Sequence, residues 1–327
     1  MPPKRRRTSE SLPAKDEGFQ ESSAQPHKDI WHSDGSIVLA TDVHLYRVHK
    51  SLLSKHSKIL KDLLEIPTAD ANTEFWEDVP IVRMAGDKDD EVSVLLEALY
   101  DRNFRDTLRG YQIAALSSLL SISTKYDFDG IRADVLRTLK SFFPNEFKNL
   151  GISKRLWSNL FSKGLFELLV VAHRCEAQSI LPTVYYLCAT FPINSILERL
   201  HILPEECMKN ILRGRDVLCC MSQGLSVRTM QAMRGDGLFS KTCRTVPSHC
   251  LEKLRAKIDG KYALDRFIFI LDQPERGVLE GLSVEQSGVC NLCASAYAKG
   301  LNDLKKQVWD NLPVFFMRKK WEELCDK

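Results

Sequence analysis

Apolar side chains change their spacing twice along this chain. Ile37-Val38-Leu39-Ala40 and Leu45-Tyr46-Arg47-Val48 are short β-prone runs with the turn-forming Thr41-Asp42 between them, which predicts a hairpin. From Leu52 the period lengthens. Leu52, Leu53, Ile59, Leu60, Leu63 and Leu64 form one wide helical stripe that closes before Pro67. Val79 to Met84 predicts a third strand, with Pro80 near its start, where no ladder donor is needed. Val92, Leu95, Leu96 and Leu99 mark a short amphipathic helix. It follows the acidic run Asp87 to Glu91, which sets negative charge at the helix's positive end. Two more helices centre on Ile113, Leu116, Leu119 and Leu120, and on Ile131, Val135, Leu139 and Phe142, the latter stopping before Pro144. Strands are few and early and helices late, so the class is α+β.

Beyond residue 150 the pattern is helical throughout. Ser153 to Cys220 reads as successive helices punctuated by Gly164, Pro182, Pro192 and Pro204, with Leu165, Leu168, Leu169, Ala172 and Cys175 on one stripe. Pro204-Glu205-Glu206 suits a helix start. Ala294 to Leu312 carries the stripe Leu301, Leu304, Val308 and Leu312, and Pro313 is expected to stop it. Trp309, Phe315, Phe316 and Trp321 follow or flank this stripe, and packing onto the protein's own helices is the more frequent fate of such aromatics. At the other end, Leu12 and Phe19 are the only large apolar side chains of residues 2–29. Too little apolar surface is present there to offset the entropy of ordering. The expected organisation is an unstructured tail over 1–29, a domain over 31–145 and a helical extension over 150–327.

Charge narrows the function classes. Lys plus Arg number 46 and Asp plus Glu 43, so the net charge of +3 supplies no general field for nucleic acid or an anionic membrane. No run approaches the 18 or so apolar residues of a membrane-spanning helix. Lys4-Arg5-Arg6-Arg7 fits a nuclear import signal as well as it fits a solvated basic tail, and no apolar secretory core follows it. The expected compartment is the nucleus or cytoplasm. In that reducing setting the ten cysteines are thiols or metal ligands and not a disulfide framework.

Several segments together resemble a known family. Ser33-Asp34-Gly35-Ser36-Ile37-Val38-Leu39, then Leu45-Tyr46-Arg47-Val48-His49-Lys50-Ser51-Leu52-Leu53 and Ser57, resemble the opening of a BTB (POZ) domain. Leu95-Leu96-Glu97-Ala98-Leu99-Tyr100 is similar to the helix that ends in tyrosine after the third strand of that family. Ser121 to Asp127, with Lys125-Tyr126, is similar to its later helix. The opening, the "ALYD" at Ala98 to Asp101 and the closing Leu312-Pro313-Val314-Phe315-Phe316 and Lys320-Trp321-Glu322-Glu323-Leu324 resemble a large group of fungal BTB proteins. The resemblance implies a short three-stranded sheet with helical hairpins. It also implies protein partners, with homo- or hetero-dimerisation through the first helix and its neighbours. Asp101-Arg102 replace the Thr-Gly that precedes a further strand in many members, so no strand is expected there. The hydrophobic-x-Glu motif by which some members bind cullins is not found. A substrate adaptor of a cullin-type ubiquitin ligase therefore stands only as an alternative by analogy. A transcription-related nuclear factor stands as another.

Candidate chemistry is sparse. His49 and Lys50 sit at a strand-to-helix junction with no carboxylate or nucleophile at a suggestive spacing, and His44 and His56 show no partner in sequence. Gly235 to Thr242 misses a phosphate loop because Ser240 occupies the place of the second glycine. No catalytic residue and no cofactor-binding loop is expected. Cys175, Cys188 and Cys207 fall within or beside apolar helical patterns as small hydrophobes, and the adjacent Cys219 and Cys220 are poor joint ligands. Four cysteines remain. Cys243, Cys250, Cys290 and Cys293 have the sulfur count of a tetrahedral zinc site, and Cys290-Asn291-Leu292-Cys293 has the tight spacing of one ligand pair. The other reading makes Cys290 and Cys293 residues of a helix face and Cys243 and Cys250 loop thiols. Structural zinc is thus the one cofactor to look for.

Overall fold

In the computed structural model, residues 24–65, 74–151, 153, 157, 164–222, 247–262 and 270–326 are described. The strands are β1 (Gln25–Trp31), β2 (Ile37–Ala40), β3 (His44–Val48), β4 (Phe75–Trp76) and β5 (Val79–Arg83). They and the helices that follow give the α+β class. By contacts the chain divides into two units, Met1–Lys50 with Pro67–Asp89, and Ser51–Ile66 with Asp90–Lys327.

The first unit is a sheet. β2 is buried at all four positions, as expected of an uninterrupted apolar run with neighbours on both sides. It pairs antiparallel with β3, Ile37 opposite Val48, and parallel with β5, Val38 beside Ile81. The edges are β1, parallel to β3, and β4, antiparallel to β5, giving the order β1-β3-β2-β5-β4. Five strands thus replace the expected three. The N-terminal expectation also needs correcting, because residues 25–29 belong to β1. Ile30 is the buried residue of that strand, so it carries no apolar alternation to read; its backbone pairing holds it. One face of the sheet gathers Val38, Ala40, Leu45, Trp31, Trp76 and Ile81, the two indoles meeting edge to face at 6.0 Å.

The Ser33–Ser36 turn is fastened to the first helix. Ser36 Oγ accepts the amide of Lys50 at 3.0 Å, and His49 Nε2 lies 3.3 Å from Asp34 Oδ2. Helix α1 (Lys50–His56) and helix α2 (Lys58–Glu65) divide what the apolar stripe presented as one helix. Ser57 is the reason. Its Oγ accepts the Leu60 amide at 2.9 Å, capping α2, and donates to the Tyr126 carbonyl at 2.5 Å. A serine with those partners stabilises a break better than a continuous helix.

The second unit contains α1 beyond Lys50, α2, most of α3 (Asp89–Tyr100), α4 (Phe104–Thr107), α5 (Ile113–Lys125) and α6 (Asp129–Phe142). It continues with α7 (Leu165–Arg174), α8 (Leu181–Thr190), α9 (Ile193–Leu197), α10 (Glu205–Ser222), α11 (Pro247–Tyr262), α12 (Val284–Ser287), α13 (Asn291–Asp310) and α14 (Leu312–Met317). Its main core is one cluster that draws side chains from both sides of residue 150, among them Ala98, Leu139, Tyr185 and Phe316. The expected division near residue 145–150 therefore falls inside a shared core. Helix α8 is buried from Leu181 to Ala189, as a helix surrounded by others must be. Close approach at α10 requires Gly214, where a Cβ would meet the Phe316 ring at 2.0 Å. Pro313 does not simply stop the preceding helix; it lies in the first turn of α14, where its missing N–H costs nothing. Trp309 and Phe316 are fully buried, and Trp321 stacks on Trp309 at 5.4 Å while donating its Nε1–H to the Trp309 carbonyl at 2.9 Å.

Candidate metal centre

Cys250 lies on α11, Cys290 is the N-cap of α13 and Cys293 stands in its first turn. The sulfur atoms of these three residues all lie within 4.8 Å of one another. Cys250 and Cys293 are buried and Cys290 is half-buried. None is in a disulfide.

The local sequence builds this convergence. Ser283 Oγ accepts the Gln286 amide at 3.2 Å, and Gln286 Oε1 accepts the Ser283 amide at 3.0 Å, a reciprocal cap that fixes α12. Gly288 ends α12 with φ 65°. That left-handed backbone favours glycine, and the Lys253 side chain lies close against it, its Nζ 2.6 Å from where a Cβ would stand. The Val289 amide then donates to the buried Ser287 Oγ at 3.2 Å, aiming the chain at Cys290. The helix that follows is 20 residues long, and its N-terminus favours negative charge held there. From α11, the Lys253 side chain brings a cation against Gly288, which is two residues before the Cys-x-x-Cys.

Around the thiols is a second, smaller core that includes Leu254, Ile258, Val278, Leu279, Val289 and Tyr297. Helix α13 joins the two cores: Cys293, Tyr297 and Leu301 enter the small one, and Leu304, Val308 and Trp309 the large one. Of the four expected ligands, three come together. The fourth, Cys243, lies outside the described residues, as do Lys4 to Arg7 and Gly235 to Thr242. Cys250 is a helix residue, not a loop thiol.

The remaining cysteines behave as buried hydrophobes or surface residues. Cys175, Cys188 and Cys207 are buried, Cys219 is half-buried and Cys220 exposed. Burial pushes the thiols of Cys188 and Cys207 well above and above their ordinary range, respectively.

His44 has a partner that sequence spacing did not reveal. Its Nδ1 lies 2.7 Å from Asp89 Oδ2, and Asp89 Oδ1 accepts the Thr41 hydroxyl at 2.5 Å and the Tyr46 hydroxyl at 2.9 Å. Burial alone raises the Asp89 carboxyl, but the Thr41, His44 and Tyr46 hydrogen bonds outweigh it and hold the group below its usual value. Thr41 Oγ1 also accepts the amide of His44 at 3.0 Å. Its lone pairs and proton are thus committed to the β2–β3 turn, and the cluster works as a brace for that turn.

Among the described residues no helix is long and apolar enough to cross a membrane. The chain matches no protein-family model, no curated protein and no solved structure.

Proposed function

We propose that this chain is a non-enzymatic protein-interaction protein of BTB (POZ) type, acting by dimerisation. The order of its elements carries the reading. Hairpin β2–β3, helices α1 and α2, strand β5, helix α3 and the pair α5–α6 follow one another in the sequence that the BTB resemblance implies. The motif residues stand at the joints: Asp34 and Ser36 on the start of α1, Ser57 on Tyr126. Flanking strands β1 and β4 add to this frame without altering its order.

Helix α2 supplies the surface. Leu60 and Leu64 are buried, whereas Ile59 and Leu63, four residues apart on another face, are 43% and 41% exposed. An exposed apolar pair on one of the first helices suits a partner's equivalent face, the isologous contact of a two-fold dimer.

Light scattering across a wide concentration range tests this. The expected mass is that of two chains, and Ile59→Glu with Leu63→Glu is expected to shift it to one chain with an unchanged helical spectrum. A wild-type chain that stays monomeric at every concentration, and cross-links to no BTB-containing chain, overturns the proposal.

A further inference from the structure

We propose that Cys250, Cys290 and Cys293 are thiolate ligands of a structural zinc(II) ion that fastens helix α11 to the N-terminus of helix α13. The inference is independent of the BTB reading.

Geometry is the main argument. Zinc holds sulfur at about 2.3 Å in a tetrahedron, which sets neighbouring sulfurs about 3.8 Å apart. Three thiols already within 4.8 Å reach that arrangement by small side-chain rotations, without moving a helix. Two of the three come from one Cys-x-x-Cys whose first member is the N-cap and whose second is in the first turn of α13, so a single helix start presents both to one point. The third comes from a different helix, and an ion between them is a cross-link. A donor from outside this trio, water or a side chain, completes the tetrahedron.

Charge supports the same conclusion. Binding displaces the three thiol protons to solvent and leaves a zinc tris-thiolate of net charge −1. The N-terminus of a 20-residue helix lies at this point, and the Lys253 side chain lies against Gly288 on the approach to Cys290. Both favour the anionic complex.

The need is structural. The core around the thiols is small, and α11 adds to it mainly Cys250, Leu254 and Ile258. A core of that size gains little from burial alone, which is the setting in which metal clips are used. In the large core Cys207 accepts the Tyr185 hydroxyl at 3.5 Å, and among the described residues its cysteines form no comparable group of three sulfurs.

The test uses the full chain purified without added metal and without chelator. About one zinc per chain is expected by elemental analysis, released when the thiols are blocked with a mercurial. Cobalt(II) exchanged into the site is expected to show thiolate charge-transfer absorption of three or more sulfurs. Chelation is expected to speed hydrogen exchange in α11 by about ten-fold or more while α8 stays protected. Cys290→Ser, at the half-buried position, is expected to lose the metal, and Cys188→Ser to keep it. A metal-free chain that takes up no cobalt overturns the proposal. So does a cobalt spectrum of two thiolates or fewer, retention of zinc by Cys290→Ser, or a disulfide among the three cysteines in place of metal.

Discussion

Cys188 on α8 and Cys250 on α11 are both buried thiols on helices, yet their surroundings give them different work. Around Cys188 the large core draws on helices from α3 to α14, and the thiol is one small group among many buried side chains. Around Cys250 the core is small, and two more sulfurs converge on it. Burial alone therefore says little about a cysteine. Whether other donors reach the same point decides whether it is filler or ligand, and the size of the surrounding core decides whether a ligand is needed.

The largest expected effect is on the large core. Gly214→Val drives a branched side chain into the Phe316 ring, and a loss of about 3 kcal/mol or more is expected in denaturant unfolding. Zinc content should not change. If metal were lost together with stability, the two cores would be one cooperative unit and the contrast between them would fail.

Cys188→Ser comes next. It places a hydroxyl in a fully buried apolar site at a cost of about 1–3 kcal/mol. Cys290→Ser, at a half-buried position, is expected to leave the main unfolding transition within about 0.5 kcal/mol of wild type, while α11 loses exchange protection. Equal effects of the two substitutions on the main transition would erase the distinction between filler and ligand.

A smaller effect is expected where the C-terminal segment is tied to the large core. Asp326 accepts the Ser179 amide at 2.9 Å and hydroxyl at 2.7 Å, and its Oδ2 lies 2.8 Å from Lys140 Nζ. Burial raises this carboxyl, but Lys140 and Ser179 outweigh it and hold the group below its usual value. A depressed folded value means stability that is present above about pH 4 and lost as pH falls through the lower folded value. Asp326→Asn should cost about 1 kcal/mol at neutral pH. Its acid unfolding below about pH 4 should then be less steep than that of wild type. Parallel acid profiles for the two chains would remove Asp326 from the account.

Much of the frame was legible in the chain. The apolar runs at Ile37–Ala40 and Leu45–Val48 and the stripes at Leu116–Leu120 and Val135–Leu139 each became the predicted element, because burial on one side of a strand or helix writes its period into the sequence. The stripe from Leu52 to Leu64 was misread as one helix because Ser57 is a break only when Tyr126 is present to accept its proton. Strands β1 and β4 left no periodic trace, since β1 is an edge with most side chains exposed and β4 has two residues. The Asp89 cluster was invisible for a similar reason: His44 and Asp89 are far apart in sequence and adjacent only through the fold.

By itself, then, the sequence determined the α+β class, the helical second half, and the Cys-x-x-Cys ahead of the helical stripe that begins at Ala294, all of which depend on residues close along the chain. The tertiary structure decided which of the cysteines meet, that α13 is shared between a large core and a small one, and that the helices on either side of residue 150 pack together. Those outcomes depend on pairs distant in sequence, and such pairs become neighbours only when packed helices remove the space between them.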